Sequence, residues 1–433
     1  MSSQRSAPQQ AVFMFALMLT AESIFALPFL IARVFRPTLL DVFQITNFEL
    51  GTAFSMYGTV ALLSYLPGGP LADRFSARSL VTVALLVTAV GGLYYATVPG
   101  LAALKLLYAF WGLSTVLLYW AALIRATRLW GGQDSQGRAF GILDGGRGLI
   151  AAMLATVTVA IFAALLPEDV ATASLEQRAE ALKQIILIFT GVTVSAAVLA
   201  WVAIPSESHN NDKENGNDNS ITLSWPAVLT VLKNPAVWLQ GMIVVTAYVG
   251  FKGMDDLSLL ARDVLGFDDV EAAQVGTVSF WVRPVAALAA GLIGDKFGGI
   301  RTIAVCFATL IGLDLAVAAG VLVPTAPWLL FAMVVAISAA VFGLRGLYFA
   351  IFDQAGVPAA LTGTAVGMVS LVGYTPDIFM GPLNGYLTDT YPGALGHQYF
   401  FAVLAAFAAL GLICTVLFAR VTRSPSDVME TAS

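Results

Sequence analysis

Gly69-Pro70-Leu71-Ala72-Asp73-Arg74-Phe75-Ser76-Ala77-Arg78 and Gly291-Leu292-Ile293-Gly294-Asp295-Lys296-Phe297-Gly298-Gly299-Ile300-Arg301 are two copies of one pattern. Each runs Gly, three residues, Asp, a basic residue and Phe, and places a further Arg after a short gap. Each also follows the second long apolar run of its half of the chain. A pattern repeated in this way marks a parallel internal duplication, which lets one half of a membrane protein rock against the other.

Outward from these loops the chain reads as about twelve apolar runs of roughly the length that crosses a bilayer as a helix. The first half gives Ala11–Val34, Phe48–Leu71, Ser79–Val98, Leu101–Leu129, Ala139–Leu166 and Lys183–Ile204. The second gives Ala236–Leu260, Ala272–Ile293, Thr302–Val323, Pro327–Phe352, Thr362–Tyr386 and His397–Ala419. The expected fold is therefore an all-α membrane protein of two six-helix, pseudo-symmetric bundles, residues 1–204 and 236–433, joined by a linker at 205–235.

Composition points the same way. Of 433 residues, 58% are hydrophobic and 11% charged, and mean hydropathy is +0.82. A soluble domain carries about 25% charged residues, so lipid is the expected solvent. Outer-membrane strands alternate over about 10 residues, whereas these runs are continuous. Only helices satisfy every backbone group across them. The net charge of −5 argues against a nucleic-acid partner. Cys306 and Cys414 lie in apolar runs without metal-ligand spacing, so neither a disulfide framework nor a metal site is expected. No cleavable signal is evident, since Met1–Gln10 is polar and the run after it lacks a small-residue cleavage site.

The stretch Ser206–Asn219 is polar and of low complexity and reads as a flexible linker, with His209 a solvated residue within it. A short interfacial helix is expected over Ser224–Asn234, with Trp225 and Trp238 near its ends. Arg74, Arg78, Arg128, Arg138, Lys296, Arg301, Arg420 and Arg423 fall on one side together with both termini. The opposite loops carry Glu168, Asp169, Glu176, Glu180, Asp263, Asp268, Asp269 and Glu271. The basic side is assigned to the cytoplasm of a bacterial-type inner membrane. The acidic linker departs mildly from that trend, and acidic residues weigh little in the rule.

The repeated loop resembles the signature of the major facilitator superfamily, and the resemblance covers nearly the whole chain. The first copy has Ser76 where the family usually has glycine; the second keeps Gly298. A fainter repeat supports the alignment: Tyr119-Trp120-Ala121 echoes Tyr348-Phe349-Ala350, and Arg138–Ile142 opens span five much as Thr364–Met368 opens span eleven. The resemblance implies a transporter that works as a monomer, without a cofactor. It implies a central cavity lined by spans one, four, seven and ten, with two, five, eight and eleven completing the walls. It also gives Asp73, Arg74, Arg78, Asp295, Lys296 and Arg301 a gating role as a breakable charge cluster. The same basic residues would serve topology as well.

Ionisable residues near a bilayer centre cost roughly 2.5–3.5 kcal/mol or more, so each needs a partner, water or a function. Glu22, Arg147, Lys252, Arg283 and Arg345 lie at such depths on spans one, five, seven, eight and ten. Guanidinium is the fork that suits carboxylate and phosphate. The expectation is an anionic substrate held by Arg283 and Arg345, assisted by Arg147 or Lys252, with Tyr119, Tyr348, Trp281 and Tyr374 packing its apolar part. Purely structural pairing is the competing reading of the same cations. Arg125 with Asp144, Asp144 with Arg147, and Lys252 with Asp255 or Asp256 are the structural pairs expected. Glu22 is the coupling candidate, because a carboxyl in low dielectric can trade its proton as the cavity opens to each side. Proton-coupled members of the family often pair an acid on span one with an Arg on span four, which Glu22 and Arg125 resemble. A hydrogen-bonded Glu22 without proton traffic is the alternative. Asp377 follows Pro376, where a kink is expected, and deep Asp314 on span nine has no evident role.

Four functions are weighed on this reading. A proton-coupled symporter of a small organic anion, or of an acidic zwitterion suited by Asp256 beside Lys252, uses both the arginines and Glu22. An anion exchanger or facilitator uses the arginines alone. An enzyme finds no nucleophile–base set, the histidines being His209 and His397. Drug efflux lacks its usual glycine-proline signature in span five, where Gly145, Gly146 and Gly148 stand without it.

Overall fold

The computed structural model describes residues 7–131, 136–206, 229, 231–351, 355 and 362–422. Arg423, His209, most of the linker and most of the expected interfacial helix lie outside them. Ten helices among the described residues are long and apolar enough to cross a membrane. Two more complete the series: Asn47–Arg74 is span two, and Thr362–Gly373 with Pro376–Thr390 is span eleven. Successive spans alternate in direction. The start of span one, the end of span six, the start of span seven and the end of span twelve therefore share one end, called here the linker end. The opposite one is the far end.

Local sequence explains where the spans begin and break. Capping boxes start three of them at the far end: Thr46 with Glu49, Ser174 with Gln177, and Asp268 with Glu271. Several acids assigned above to topology thus also satisfy orphan amides and the positive pole of a helix. Span six begins at Leu175, two turns before its apolar run, because Glu176 and Arg178 hide that start from hydropathy. Span one widens into a π-turn at Ala26–Leu30 around Pro28, and span four does so at Leu113–Trp120. Such bulges occur frequently beside functional sites. Span seven tightens into a 3-10 turn at Met254–Asp256. Span eleven breaks at Tyr374–Thr375, immediately before Pro376, which disfavours helix in the residue ahead of it.

One core cluster is drawn wholly from Val231 onward and another wholly from Phe13–Ile204. A third mixes far-end residues of the first half with Leu259, Val270, Ala273 and Phe280. The halves therefore pack on each other at the far end. Spans two and eleven come closest there. A side chain built on Gly51 would collide with the Gly381–Pro382 backbone, and one on Gly385 with that of Phe48. Small residues are what allow membrane helices such close approach.

The two signature loops close differently. Gly298 has φ +94°, a region only glycine enters freely, whereas Ser76 sits at φ −63° and caps span three by accepting from the Ser79 amide. The serine replaces a backbone turn with a helix cap.

A Gly51→Val variant should overfill the span two–span eleven contact at a cost of about 1–3 kcal/mol to the closed far end. Spin labels at Gln177 and Thr390 should report a longer mean distance across the far end than in the parent.

Candidate functional site

A cavity lies between the halves, lined by Glu22, Arg33, Arg147, Lys252, Arg283, Arg345 and Asp377 among polar residues. Its aromatic wall includes Phe25, Trp120, Tyr65, Tyr248, Phe251 and Tyr374. It encloses about 150 Å³, room for a small metabolite and not for a macromolecule. The π-turns of spans one and four reach it through Phe29 and Trp120.

The charges are arranged as two chains that cross between the halves. Arg33 of span one meets Asp255 of span seven, which also takes Lys252 Nζ at 2.9 Å. Lys252 reaches Asp377 at 3.5 Å, and Tyr248 donates to that carboxylate at 3.1 Å. In the second chain Glu22 lies 3.5 Å from both Arg147 and Arg283, and Arg283 donates to Asp144 at 3.1 Å. Glu22 Oε2 makes no hydrogen bond at those distances, so it is held by charge without directional bonds.

Arg345 differs from these. Its guanidinium lies 3.9 Å from the Phe251 ring centroid and 5.7 Å from that of Tyr248. Its Nη1 is buried with no hydrogen-bond partner among the described residues. Five cations line the cavity, Arg33, Arg147, Lys252, Arg283 and Arg345, against the carboxylates Glu22 and Asp377. Adding the adjoining partners Asp144 and Asp255 gives four carboxylates, and five minus four leaves one positive charge. The surplus falls on Arg345.

The residues expected at the site are placed as follows. Arg283, Arg345, Arg147, Lys252, Glu22 and Tyr374 line the cavity. Tyr119 does not: it is fully buried inside the first half, donating to Thr20 at 3.0 Å. Tyr348 is buried against Phe349, and its carbonyl accepts from Gln240. Trp281 is 45% exposed on the outer surface, donating to Thr156 at 2.9 Å. Aromatic residues on a helix that lines a cavity still divide among its faces, and position along the span does not say which face. Asp144 pairs with Arg283 across the interface in place of Arg125 or Arg147, while Arg125 donates to the Ala72 carbonyl at 2.8 Å. Lys252 takes Asp255 as expected, while Asp256 binds His397 at 2.7 Å and Asn384 at 3.1 Å. His397 is thus a buried residue near the start of span twelve.

Asp73, Arg74, Asp295, Lys296 and Arg301 are exposed at the linker end. Arg78 stacks 4.5 Å from the Trp201 ring centroid. The far end is tied shut. Asp389 accepts from the amides of Asn47 at 3.2 Å and Phe48 at 2.7 Å, capping span two from the opposite half. Arg262 reaches Asp41 at 3.1 Å, and Arg178 reaches Asp269 at 3.1 Å.

Arg33, Tyr65, Tyr248 and Phe251 also line the cavity, though hydropathy and depth did not single them out. Arg33 was legible as the residue eleven places after Glu22, about three helical turns on and so on the same face. It stood too near the end of its run to be counted as buried.

The model for the major facilitator superfamily matches residues 11–380. The chain belongs to this superfamily. Two inner membrane proteins of Escherichia coli K12 are similar to it. YqcE is 26% identical over 86% of this chain and 86% of its own length, and YihN is 24% identical over 93% and 94%. Among solved structures, a bacterial homolog of the human lysosomal transporter Spinster, inward-facing and unoccupied, superposes with a TM-score of 0.75 at 14% identity. It covers 97% of this chain and all of that one. The nucleoside transporter NupG gives a TM-score of 0.69 at 15% identity, over 95% of this chain and 99% of its own. A superfamily member with this architecture is a multi-pass membrane transporter and not an enzyme.

Removing one member of a buried ion pair strands the other, at a cost of about 3–5 kcal/mol. Asp255→Ala strands Arg33, leaves Lys252 only Asp377 at 3.5 Å, and should lower the thermal midpoint of the purified transporter. Lys252→Met in the same chain should recover part of the loss.

Proposed function

We propose that this superfamily member carries a small organic anion across the inner membrane by alternating access, as a monomer with both termini cytoplasmic. The observation that carries this reading is Arg345, a cavity guanidinium with a buried, unbonded Nη1 and the site's one surplus positive charge. A substrate with one net negative charge would complete the ledger; an acidic zwitterion would set its cation toward Asp377. Arg283, already shared with Glu22 and Asp144, would take the anion only by exchanging partners. The rings of Phe251 and Tyr374 would pack the apolar body.

In this orientation the far end is the outer one, so the closed far end corresponds to an inward-facing state. The charges of Asp73–Arg78 and Asp295–Arg301 would then engage when the linker end closes. Proton coupling is assigned to Glu22. It touches a guanidinium of each half through charge alone, so a proton arriving there would release one tie between the halves. An exchanger with Glu22 as a fixed counter-ion is the second reading, favoured by the same pair of guanidiniums.

Arg345→Ala should cut uptake of the anion that stabilises the parent in a thermal-shift screen by about 30-fold or more, with the protein still folded and inserted. Normal uptake in that variant removes the anion reading. Glu22→Gln should abolish the pH dependence of net uptake in proteoliposomes while counterflow exchange continues. An unchanged pH profile assigns the exchanger instead.

A further inference from the structure

Ten of the twenty-two residues that line the central cavity are aromatic, seven are charged, and the other five are aliphatic or glycine. No serine, threonine, asparagine, glutamine or histidine lines it among the described residues. Six of the seven charges are committed to the two chains that cross between the halves, and Arg345 is the seventh. Of the four cavity tyrosines, two have their hydroxyls engaged. Tyr57 shares a hydrogen bond with Thr115 at 2.7 Å, and Tyr248 donates to Asp377 at 3.1 Å. A hydroxyl brought against such a wall gives up water and finds few neutral groups to bond in return. A polyol acid meets that loss several times over, and an unsubstituted ring does not meet it.

Breaks in the helices supply part of the aromatic wall. Phe29 stands in the π-turn of span one, Trp120 closes that of span four, and Tyr374 falls at the break before Pro376. Tyr65 of span two and Tyr374 of span eleven face each other across the halves, 12° from parallel with centroids 6.3 Å apart. Tyr248 meets Tyr374 nearly edge-on at 5.0 Å. A further flat ring joins such an assembly by offset stacking or edge contact. The enclosed space of about 150 Å³ is the size that accepts one benzene ring in an apolar protein cavity. Phe251 covers the Arg345 guanidinium at 3.9 Å, so a carboxylate meets that fork at its edge, where Nη1 is unbonded.

Resting on the anion reading, we propose that the substrate is an aryl monocarboxylate with a single ring. Its carboxylate takes the edge of Arg345, and its ring lies among Tyr65, Tyr248 and Tyr374. Selection against sugars and sugar acids then comes from what the wall lacks, and selection for an anion from Arg345.

The test is a binding series on the full-length purified protein, read as the thermal midpoint against rising concentrations of benzoate, benzamide, cyclohexanecarboxylate and gluconate. Benzoate should raise the midpoint saturably. Benzamide, of the same shape without the charge, should bind about 30-fold more weakly or worse. Gluconate, with the charge on a polyol, should bind about 100-fold more weakly or worse. Cyclohexanecarboxylate should bind about 5-fold more weakly, the margin that ring contacts supply. Tyr374→Leu should bring that acid and benzoate to parity. Tyr65→Leu serves where Tyr374→Leu does not fold, and an undiminished benzoate preference in the folded variant overturns the ring placement. Gluconate binding as tightly as benzoate overturns the aryl class and leaves the anion reading standing. Benzamide matching benzoate overturns both. No saturable response to benzoate overturns the aryl class, whatever other acids do.

Discussion

Charge inside a membrane is costly, and the architecture of this transporter is organised around how each buried charge is compensated. Arg33, Asp255, Lys252 and Asp377 compensate one another in a line, and Glu22, Arg147, Arg283 and Asp144 do so in a second. Both lines pass from one half of the chain to the other. The compensation is therefore complete only while the halves are together at the far end. Separating them leaves Arg33 without its opposite charge, and Asp255 with Lys252 alone, unless water enters. Opening the far end and wetting the cavity are accordingly one event.

That dependence gives the far-end contacts their weight. The glycine approach at Gly51 and Gly381 brings spans two and eleven within backbone contact, and the Asp389 cap adds directional bonds to the same place. An acid from one half capping a helix of the other is a tie that can be released without a penalty on the free helix. Thr46 and Glu49 already form a capping box at that end, and water can serve the rest.

Much of this was legible in the sequence because lipid imposes a coarse code. Continuous apolar runs fixed the number and order of spans, and the duplicated Asp-basic-Phe loops fixed the family. Depth along a span singled out Glu22, Arg147, Lys252, Arg283 and Arg345, all of which line the cavity. Depth does not give rotation, however, and rotation decides what a side chain meets. Tyr119 and Tyr374 stand at similar depths, yet one faces Thr20 inside its own half and the other the cavity. In a helix surrounded by apolar residues on every side, hydropathy carries too little periodicity to separate those faces. Partner choice was hidden for the same reason. Asp144 finds Arg283 on a helix 139 positions away, a pairing no local spacing encodes.

Helix irregularities explain why the site is where it is. Pro28, the π-turn of span four, the 3-10 turn after Gly253 and the break before Pro376 all fall beside the cavity or the charge lines. A regular α-helix presents a smooth cylinder whose carbonyls are occupied. Each irregularity redirects side chains and loosens a few carbonyls at a depth where water is otherwise absent. Span seven uses one such turn in two directions, with Lys252 and Asp255 toward the opposite half and Gly253 and Met254 toward its own. A change in charge at Lys252 or Asp255 must be met by the same few peptide bonds. Span seven is thus the element through which an event in the cavity would reach the tie between the halves.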